Sequence, residues 1–350
     1  MLGTSPNFSE KALAADPVAV ARAINELNVV YCKSRILHSA VELGLFSYLG
    51  ERQATAEEIF ADLGLQPALA QDFLDALTGL GLLDRVAGKY RNSAGAAEYL
   101  VPGKPTFIGG AVRSHGSIHF GLWGRLTDAL RDGRAQSGLL ANSFKKPYDD
   151  PEHVRRLMDH MDAFNNFVNY WLDSAVDWKR YSSFVDFGGA RGNTAVHLVR
   201  TFPHLTGTVF DLPQVEPLFD EHVAAYGAAD RVRFHAGDFY TDALPQTDVA
   251  IIGHTLHDWP ADDRRRLIAR LGEAVRPGGA LIVYDAMIDD ERADPDSLVQ
   301  SLRCRMIREG GSEYTAAEAG SWAENAGFEV ADVIHADTIT NDRILVAVKR

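Results

Sequence analysis

Apolar positions in the first part of the chain recur at the spacing of helices. Residues 18–49 carry this pattern and predict two helices that break around Gly44 or before it. Thr55 precedes Glu58 by three positions, as in a capping box, and predicts a helix that ends at Gly64. The beginning of the chain is therefore expected to be mainly helical.

A hairpin follows these helices. After a further helix at residues 67–80, residues 82–99 predict two short strands that turn at Ala87 and Gly88. The order helix, helix, helix, hairpin is that of a winged helix. Winged helices commonly read DNA, but residues 55–81 contain neither Lys nor Arg to contact phosphates or base edges. Dimerisation is the expected role of this part, with the apolar positions of the first helices as its surface.

After the hairpin, helices are expected up to residue 176, and short apolar runs replace their pattern only after it. Residues 102–151 predict short helices with irregular turns, and residues 152–176 predict one long helix with a single apolar stripe. Strands and helices then alternate, which predicts an α/β doubly wound sheet. The expected strands lie around 184–185, 207–210, 232–235, 249–252, 280–284 and 344–348.

The predicted domains are 1–101 for the winged helix, 102–178 for a helical connector and 179–350 for the sheet domain.

Composition and charge narrow the classes of function. The chain has 350 residues, 46% of them hydrophobic, which is enough for sizeable cores. The formal charge of −13 disfavours nucleic acid and anionic lipid surfaces as partners. Neither a membrane span nor a signal peptide is recognisable, so a cytoplasmic protein is expected. The two cysteines, Cys32 and Cys304, have no CxxC spacing and are both expected to be buried thiols.

One strand, turn, helix, strand unit at residues 182–213 predicts a nucleoside site. Its glycine turn includes Gly188 and lets the backbone approach a ligand, while Asp211 closes the following strand where ribose hydroxyls would bind. The turn does not spell the GxGxxG fingerprint of dinucleotide sites. The unit therefore favours a nucleoside cofactor without a pyrophosphate, S-adenosyl-L-methionine above all, although a plain connecting turn would share these features.

The residues that close the other strands extend this site. Ligands of doubly wound sheets lie outside the carboxyl ends of the strands. Asp238 offers a polar contact there and Phe239 an aromatic face for adenine, and Asp285 closes a later strand. Acidic residues also end strands as caps of the next helix, but their repetition at successive strand ends favours a ligand site.

The segment GHTLHDWP at residues 253–260 carries the candidate chemistry. Histidine titrates near neutral pH, so His257 could take a proton from a hydroxyl group. Asp285 and Glu313 are the candidates to orient its ring. His254, His257 and Asp258 would alternatively suit iron or zinc if they converged.

Taken together, the motifs resemble the caffeate and acetylserotonin type of S-adenosylmethionine-dependent O-methyltransferases, which include bacterial enzymes of antibiotic biosynthesis. The resemblance covers nearly the whole chain and rests on seven stretches: GLLDRVAGKY, VDFGGARGN, FPHLTGTVFDLPQV, GDFY, LHDW, RPGGALIVYDA and GGSEYT. It implies a class I methyltransferase-like doubly wound sheet with an N-terminal, mainly α winged-helix dimerisation domain. It also implies a homodimer in which the N-terminal domain of one subunit closes the acceptor pocket of the other.

The same resemblance implies roles for individual residues. His257 matches the family's catalytic base, and Asp285 and Glu313 match its two flanking acids. The cofactor contacts it implies are Gly188, Asp211, Leu212, Asp238, Phe239, Gly253, His254 and Asn165. No metal ligand is assigned.

Three departures from the family pattern stand out. Ala190 and Arg191 interrupt the glycine loop and are expected to add bulk and charge beside the methionine end of the cofactor. Gly253 replaces a basic or polar residue, so His254 is expected to take over its contact. Asp285 replaces a glutamate common in plant relatives, which is expected to shorten its reach to the histidine.

The expected activity is methyl transfer to a hydroxyl of an aromatic small molecule in antibiotic or other secondary metabolism. Three alternatives stay open. The first is C-methylation of an activated ring or an α-keto acid, with a metal in the latter case. The second is a protein that binds the cofactor without transferring methyl, and the third is a winged-helix regulator without enzyme activity.

Overall fold

The structure, a computed structural model, describes residues 8–143 and 145–350. The chain divides into two compact units, Met1–Gly116 and Ser117–Arg350. The narrower boundaries expected from the sequence, at 101 and 178, stay a prediction.

Seven helices and a three-stranded antiparallel sheet make up the described part of the first unit. The helices are α1 (Glu10–Ala15), α2 (Pro17–Glu42), α3 (Leu45–Leu49), α4 (Ala56–Leu63), α5 (Pro67–Gly79), α6 (Ala94–Tyr99) and α7 (Gly109–Ser114). The strands are β1 (Ala54–Thr55), β2 (Leu83–Val86) and β3 (Lys89–Asn92), in the order β1-β3-β2.

Local sequence signals explain most of these boundaries. Gly44 separates α2 from α3 in the left-handed conformation, with φ of 71°. Thr55 and Glu58 form the predicted capping box of α4, and Gly64 ends that helix. The predicted hairpin is present, but the extension of its second strand towards Tyr99 is wrong, because Ser93 caps the short helix α6 there.

Nine helices and a seven-stranded sheet are described in the second unit. The helices are α8 (Phe120–Trp123), α9 (Leu126–Asp132), α10 (Leu139–Asn142), α11 (Pro151–Leu172), α12 (Asn193–Thr201), α13 (Glu216–Ala225), α14 (Ala261–Ala274), α15 (Pro295–Ile307) and α16 (Ala316–Asn325). The strands are β4 (Ser183–Phe187), β5 (Thr206–Asp211), β6 (Val232–Ala236), β7 (Thr247–Gly253), β8 (Val275–Asp285), β9 (Phe328–His335) and β10 (Arg343–Lys349). A π-helical turn at His115–His119 and 3-10 turns at Lys146–Asp149, Trp178–Arg180, Pro213–Val215 and Leu256–Asp258 complete these elements.

The large sheet has the order β6-β5-β4-β7-β8-β10-β9. Strands β4 to β8 pair in parallel, whereas β10 runs antiparallel to both β8 and β9. The carboxyl ends of five parallel strands therefore meet at one edge, as the sequence predicted. Strand β9 was not predicted.

Both faces of the sheet are covered, so its central strands alternate between two cores. In β7, Val249 and Ile251 pack in the core that contains residues of α11, α12 and α13. Ala250 and Ile252 pack in the other core, with residues of α14 and α16. This three-layer arrangement is the α/β class predicted from the sequence.

The two cysteines differ in exposure. Cys304 is buried as expected, but Cys32 is exposed, so the prediction of two buried thiols is wrong for Cys32. Within this chain, α2 buries only Ala40 and Val41. Its apolar pattern therefore leaves several large apolar side chains exposed along the same helix: Val18, Ile24, Leu27, Val30 and Tyr31.

No helix in the described parts of the chain combines the length and apolarity that crossing a bilayer requires.

Candidate active site

A cleft opens at the carboxyl ends of the parallel strands. Its empty volume, which includes open solvent at the mouth, is about 820 Å³. Residues after β4, β5, β6 and β7 line it, together with residues of α11 and of the segments before α11 and after α15. The lining residues are Lys145, Tyr148, Leu157, Met158, Met161, Gly188, Ala190, Asp211, Leu212, Gly237, Asp238, Phe239, His254, Thr255, Asp258, Trp259 and Arg308.

The glycine turn after β4 brings backbone to the wall of this cleft. Gly188 has φ of 73°, and a Cβ atom there would lie 2.9 Å from Oγ1 of Thr255. A Cβ atom on Gly189 would lie 2.7 Å from the Asp186 carboxylate. Both positions therefore require glycine, the first for its backbone conformation and both for space.

Asp211 joins this turn to the end of β5. Its carboxylate accepts hydrogen bonds from the backbone N–H groups of Ala190, at 2.8 Å, and Leu212, at 2.7 Å. Burial raises the pKa of Asp211 to about 6, although these two donors oppose the shift. Each carboxylate oxygen keeps a further lone pair, so the group can still accept hydrogen bonds from a ligand with two hydroxyls.

The segment after β6 adds a charged and an aromatic contact. The Lys145 ammonium lies 2.7 Å from Oδ2 of Asp238. Phe239, next in sequence, is buried against Trp259, with ring centroids 6.0 Å apart. A flat, apolar surface with a polar group beside it suits a purine base.

His257 lies between two buried carboxylates. Its Nδ1 atom is 2.8 Å from Oδ1 of Asp285 and 3.0 Å from Oε1 of Glu313. The Tyr314 hydroxyl donates a hydrogen bond of 2.5 Å to Oδ2 of Asp285. All three predicted catalytic side chains therefore converge, and Asp285 reaches the ring despite being shorter than glutamate.

Local backbone contacts explain this convergence. β7 ends at Gly253, and the 3-10 turn Leu256–Asp258 carries His257 beside the end of the neighbouring strand β8. The Ser312 N–H donates to the carbonyl oxygen of His257, and the Glu313 N–H donates to the Ser301 hydroxyl oxygen. The segment that carries Glu313 is thus tied both to the histidine and to α15.

Burial and charge act against each other on His257. Burial lowers the pKa of the imidazole, but Cys304, Asp285 and Glu313 raise it, and the net direction is well above the ordinary value. The carboxylates therefore stabilise the imidazolium form. Because Nδ1 faces them, Nε2 is the ring nitrogen left for a reacting group.

A second histidine lies nearby on the cleft wall. Nδ1 of His254 is 4.0 Å from Oδ1 of Asp285, and its Nε2 is 3.8 Å from Oδ1 of the fully buried Asp342. His254 has φ of 47°, an uncommon conformation for a residue other than glycine. His254 lines the cleft, and its contact with the cofactor stays a prediction.

Two of the predicted cofactor residues lie outside the lining. Asn165 is buried in α11, near the cleft-lining Met161 but not among the residues that contact the cleft. Gly253 packs against β8, where a Cβ atom would lie 1.9 Å from the Tyr284 ring. The other six predicted cofactor residues line the cleft together.

The Arg191 charge is paired with two acidic residues of α11. Ala190 lines the cleft, whereas Arg191 lies 3.0 Å from Asp159 and 2.5 Å from Asp162, both on α11. Its charge is neutralised by α11 because the helix passes beside the glycine turn. Arg191 is thus not among the lining residues, and the expectation of a charge beside the cofactor stays a prediction.

Sequence reasoning did not single out several of the lining residues. Lys145, Tyr148, Met158 and Arg308 come from segments remote from the strand ends, and no local motif marks them. Thr255 was within the GHTLHDWP segment but offered no chemistry by itself.

The metal set considered from the sequence does not converge. The rings of His254 and His257 are 6.3 Å apart, and Oδ2 of Asp258 is 3.6 Å from Nε of Arg308. Within the described residues, the potential ligand atoms that lie within 4.8 Å of one another belong instead to His257, Cys304 and Glu313.

Fold and site define an α/β protein with a cleft at the carboxyl ends of its parallel strands and a buried histidine beside it. Residues 123–329 match the O-methyltransferase domain and residues 26–102 the O-methyltransferase dimerisation domain, so the chain belongs to this O-methyltransferase family. It is an S-adenosylmethionine-dependent methyltransferase. The glycine turn at Gly188 and the Asp211 carboxylate fit that cofactor.

Two curated relatives come from Streptomyces. The chain is 44% identical to the N,N-dimethyltransferase OxyT of Streptomyces rimosus, over 95% of this chain and 98% of the relative. It is 47% identical to the tetracenomycin polyketide synthesis 8-O-methyl transferase TcmO of Streptomyces glaucescens, over 87% of this chain and 90% of the relative.

Solved structures show the same fold. Human N-acetylserotonin methyltransferase, in complex with S-adenosylmethionine, has a TM-score of 0.85 and 25% identity, covering 99% of each chain. The mitomycin 7-O-methyltransferase MmcR has a TM-score of 0.82 and 26% identity, covering 96% of this chain and all of that one.

Proposed function

We propose that this enzyme methylates a hydroxyl group of an aromatic small molecule in antibiotic or other secondary-metabolite biosynthesis, with His257 as general base. The observation that carries the proposal is the placement of Nδ1 of His257 within 3.0 Å of both Asp285 and Glu313. His254, Thr255 and Asp258, which flank His257 in sequence, line the cofactor cleft. The histidine thus lies beside the proposed cofactor cleft.

Six cleft-lining residues are proposed to hold the cofactor. Asp211 would accept hydrogen bonds from the ribose hydroxyls, and Gly188 would give the backbone close approach. Asp238 and Phe239 would contact the adenine, and Leu212 and His254 would complete the wall. When bound, S-adenosylmethionine supplies a methyl group made electrophilic by the sulfonium.

His257 is proposed to act through Nε2. Because the pKa of His257 is raised, the imidazolium must first release its Nε2 proton to water. The carboxylates of Asp285 and Glu313 keep the other proton on Nδ1, which leaves a lone pair on Nε2 to take the hydroxyl proton. The imidazolium that results lies against the same two carboxylates and is stabilised by them. Much of the acceleration is expected from holding two reactants in one orientation.

A homodimer is proposed for the assembly. The dimerisation domain match at residues 26–102 and the exposed apolar side chains of α2, such as Leu27 and Tyr31, support it. Sedimentation should give twice the chain mass of 38.4 kDa, and Leu27→Glu should reduce the dimer fraction. A cytoplasmic enzyme without nucleic-acid or membrane partners is proposed on the acidic composition.

An amino group is the second candidate acceptor. Three buried carboxylates, Asp285, Glu313 and Asp342, surround two histidines, which gives an excess of negative charge. Such a site would bind a protonated amine better than a neutral phenol, and His257 would then take the ammonium proton so that the nitrogen lone pair can attack the methyl group. The name of OxyT, an N,N-dimethyltransferase, agrees with this candidate.

Product analysis separates the candidates. The enzyme is incubated with methyl-labelled S-adenosylmethionine and a panel of phenols, hydroxyquinones, aromatic amines and α-keto acids, with and without a chelator. Label on oxygen, with no loss of turnover in chelator, is the expected result. Label on nitrogen supports the second candidate, and label on carbon or turnover lost to chelation contradicts both.

A further inference from the structure

A buried thiol lies beside the candidate catalytic histidine. Sγ of Cys304, on α15, is 4.0 Å from Oε1 of Glu313. That same oxygen is 3.0 Å from Nδ1 of His257. The thiol, the carboxylate and the imidazole lie within 4.8 Å of one another, and all three residues are buried.

This donor set suits a soft divalent cation. Thiolate, imidazole and carboxylate are the ligands of zinc sites, with bonds of about 2.0–2.3 Å, which places neighbouring ligand atoms roughly 3.3–3.8 Å apart in a tetrahedron. The observed separations of 3.0 Å and 4.0 Å lie on either side of that range. Oδ1 of Asp285, 2.8 Å from Nδ1 of His257, is available as a fourth ligand.

Unsatisfied polar atoms surround the same point. Nδ1 of His257, Oδ1 of Asp285 and Oε2 of Glu313 are buried, and none makes a hydrogen bond of acceptable geometry. Buried polar atoms without hydrogen bonds are unfavourable, and bonds to a cation would satisfy them.

We propose that His257, Cys304 and Glu313 form a binding site for a soft divalent cation such as Zn²⁺, and that occupation of this site inhibits the enzyme. The inhibition rests on the proposed general-base role of His257. A cation on Nδ1 needs the lone pair of that nitrogen, so the remaining ring proton stays on Nε2. Nε2 then has no lone pair with which to take the acceptor's proton.

Binding of the cation displaces two protons from the site. The imidazolium releases its Nδ1 proton and the Cys304 thiol releases its Sγ proton, both to water. The cation forms bonds to Nδ1, Sγ and a Glu313 oxygen. No oxidant or reductant takes part.

The chain supplies a matched pair of variants for the test, because it has two cysteines. Cys32→Ser removes the exposed thiol of α2 and leaves Cys304 as the sole thiol, whereas Cys304→Ser does the reverse. Each variant and the unmodified enzyme are titrated with Cd²⁺, and the ultraviolet absorbance of cadmium–thiolate bonds reports binding. Turnover is measured in parallel with Zn²⁺ and Cd²⁺, relative to each protein's own metal-free rate.

The unmodified enzyme and Cys32→Ser are expected to show one saturating absorbance change per chain and a parallel loss of turnover. In Cys304→Ser the Zn²⁺ concentration for half inhibition should rise by at least roughly 10–100-fold. Loss of an outer-shell partner alone weakens metal binding by that factor, and Cys304 is proposed as a direct ligand. Equal absorbance changes and equal sensitivity in the two variants would overturn the site. Saturation of the absorbance without loss of turnover would overturn the inhibition.

The absorbance titration also separates this inference from the proposed function. If His257 is not the base, the cadmium–thiolate band still forms in Cys32→Ser while turnover persists. If the site is wrong, no band forms in Cys32→Ser, whatever the result for the base. Glu313→Gln should weaken the band in the Cys32→Ser background, and an unchanged band there would remove Glu313 from the ligand set.

Discussion

Nδ1 of His257 lies 2.8 Å from Oδ1 of Asp285, and the two residues follow or end neighbouring parallel strands, β7 and β8. The sheet therefore fixes the histidine and its carboxylate on one rigid frame. Glu313 completes the group from a segment tied to α15. This pairing leads to predictions for each acid separately.

Asp285→Asn and Glu313→Gln should each lower turnover while cofactor binding remains. Each substitution removes a carboxylate that orients the ring and stabilises its imidazolium, so the loss should be roughly 10²–10⁴-fold, the range of general acid–base contributions. Steady-state kinetics and calorimetric titration with S-adenosylhomocysteine provide the measurements. The exposed Asp290, as Asp290→Asn, is the matched control. Full turnover in both buried variants would show that the carboxylates do not serve the histidine.

Asp211→Asn should weaken cofactor binding. A hydrogen bond to a charged group is worth about 1.5–3 kcal/mol, so the dissociation constant should rise by roughly 10–100-fold. Asp220→Asn, on the exposed side of α13, should leave it unchanged. Thermal unfolding separates loss of affinity from loss of fold, because Asp211 also holds the glycine turn through Ala190. Unchanged affinity in a folded Asp211→Asn protein would show that Asp211 does not bind the ribose.

Cofactor affinity should depend on pH through Asp211. Burial raises the pKa of this carboxyl to about 6, so the ionised, accepting form is present above pH 6 and is lost as the pH falls through that value. Affinity should fall by up to about tenfold per pH unit below the pKa. Binding titrations between pH 5 and 8 test the slope, which should flatten in Asp211→Asn. The same slope in both proteins would assign the dependence to another group, such as the buried Asp186, whose pKa burial raises to about 7.

Gly253→Ala should destabilise the fold rather than alter a cofactor contact. The added Cβ atom would meet the Tyr284 ring at 1.9 Å, and such overpacking costs about 1–3 kcal/mol. Gly121→Ala, where no heavy atom lies within 4 Å of the added Cβ, is the matched control. Chemical denaturation of both variants gives the comparison. A stable Gly253→Ala protein with weakened cofactor binding would indicate that Gly253 contacts the cofactor.

Much of the fold could be predicted because its signals are local. The capping box at Thr55, the break at Gly44 and the apolar runs of the parallel strands all depend on residues near one another in sequence. Strand β9 could not be predicted in this way, because most of its residues are not buried and β10 alone pairs with it. Its register is set by a strand that follows it in the chain.

The candidate site likewise has residues that the sequence predicts and residues that it does not. Asp211, Asp238 and His257 stand at or near strand ends, where parallel topology alone brings them together. The place of Cys304 beside Glu313 depends on how α15 packs, and the pairing of Arg191 with Asp162 depends on where α11 passes. Contacts of this kind join remote segments and leave no pattern in the sequence.

The most direct test of the account is the turnover of His257→Ala beside its affinity for S-adenosylmethionine, measured on the same preparation with an acceptor identified from the panel. The account predicts cofactor affinity close to that of the unmodified enzyme and a turnover lower by roughly 10²–10⁴-fold. Full turnover with unchanged affinity would contradict the general-base role of His257.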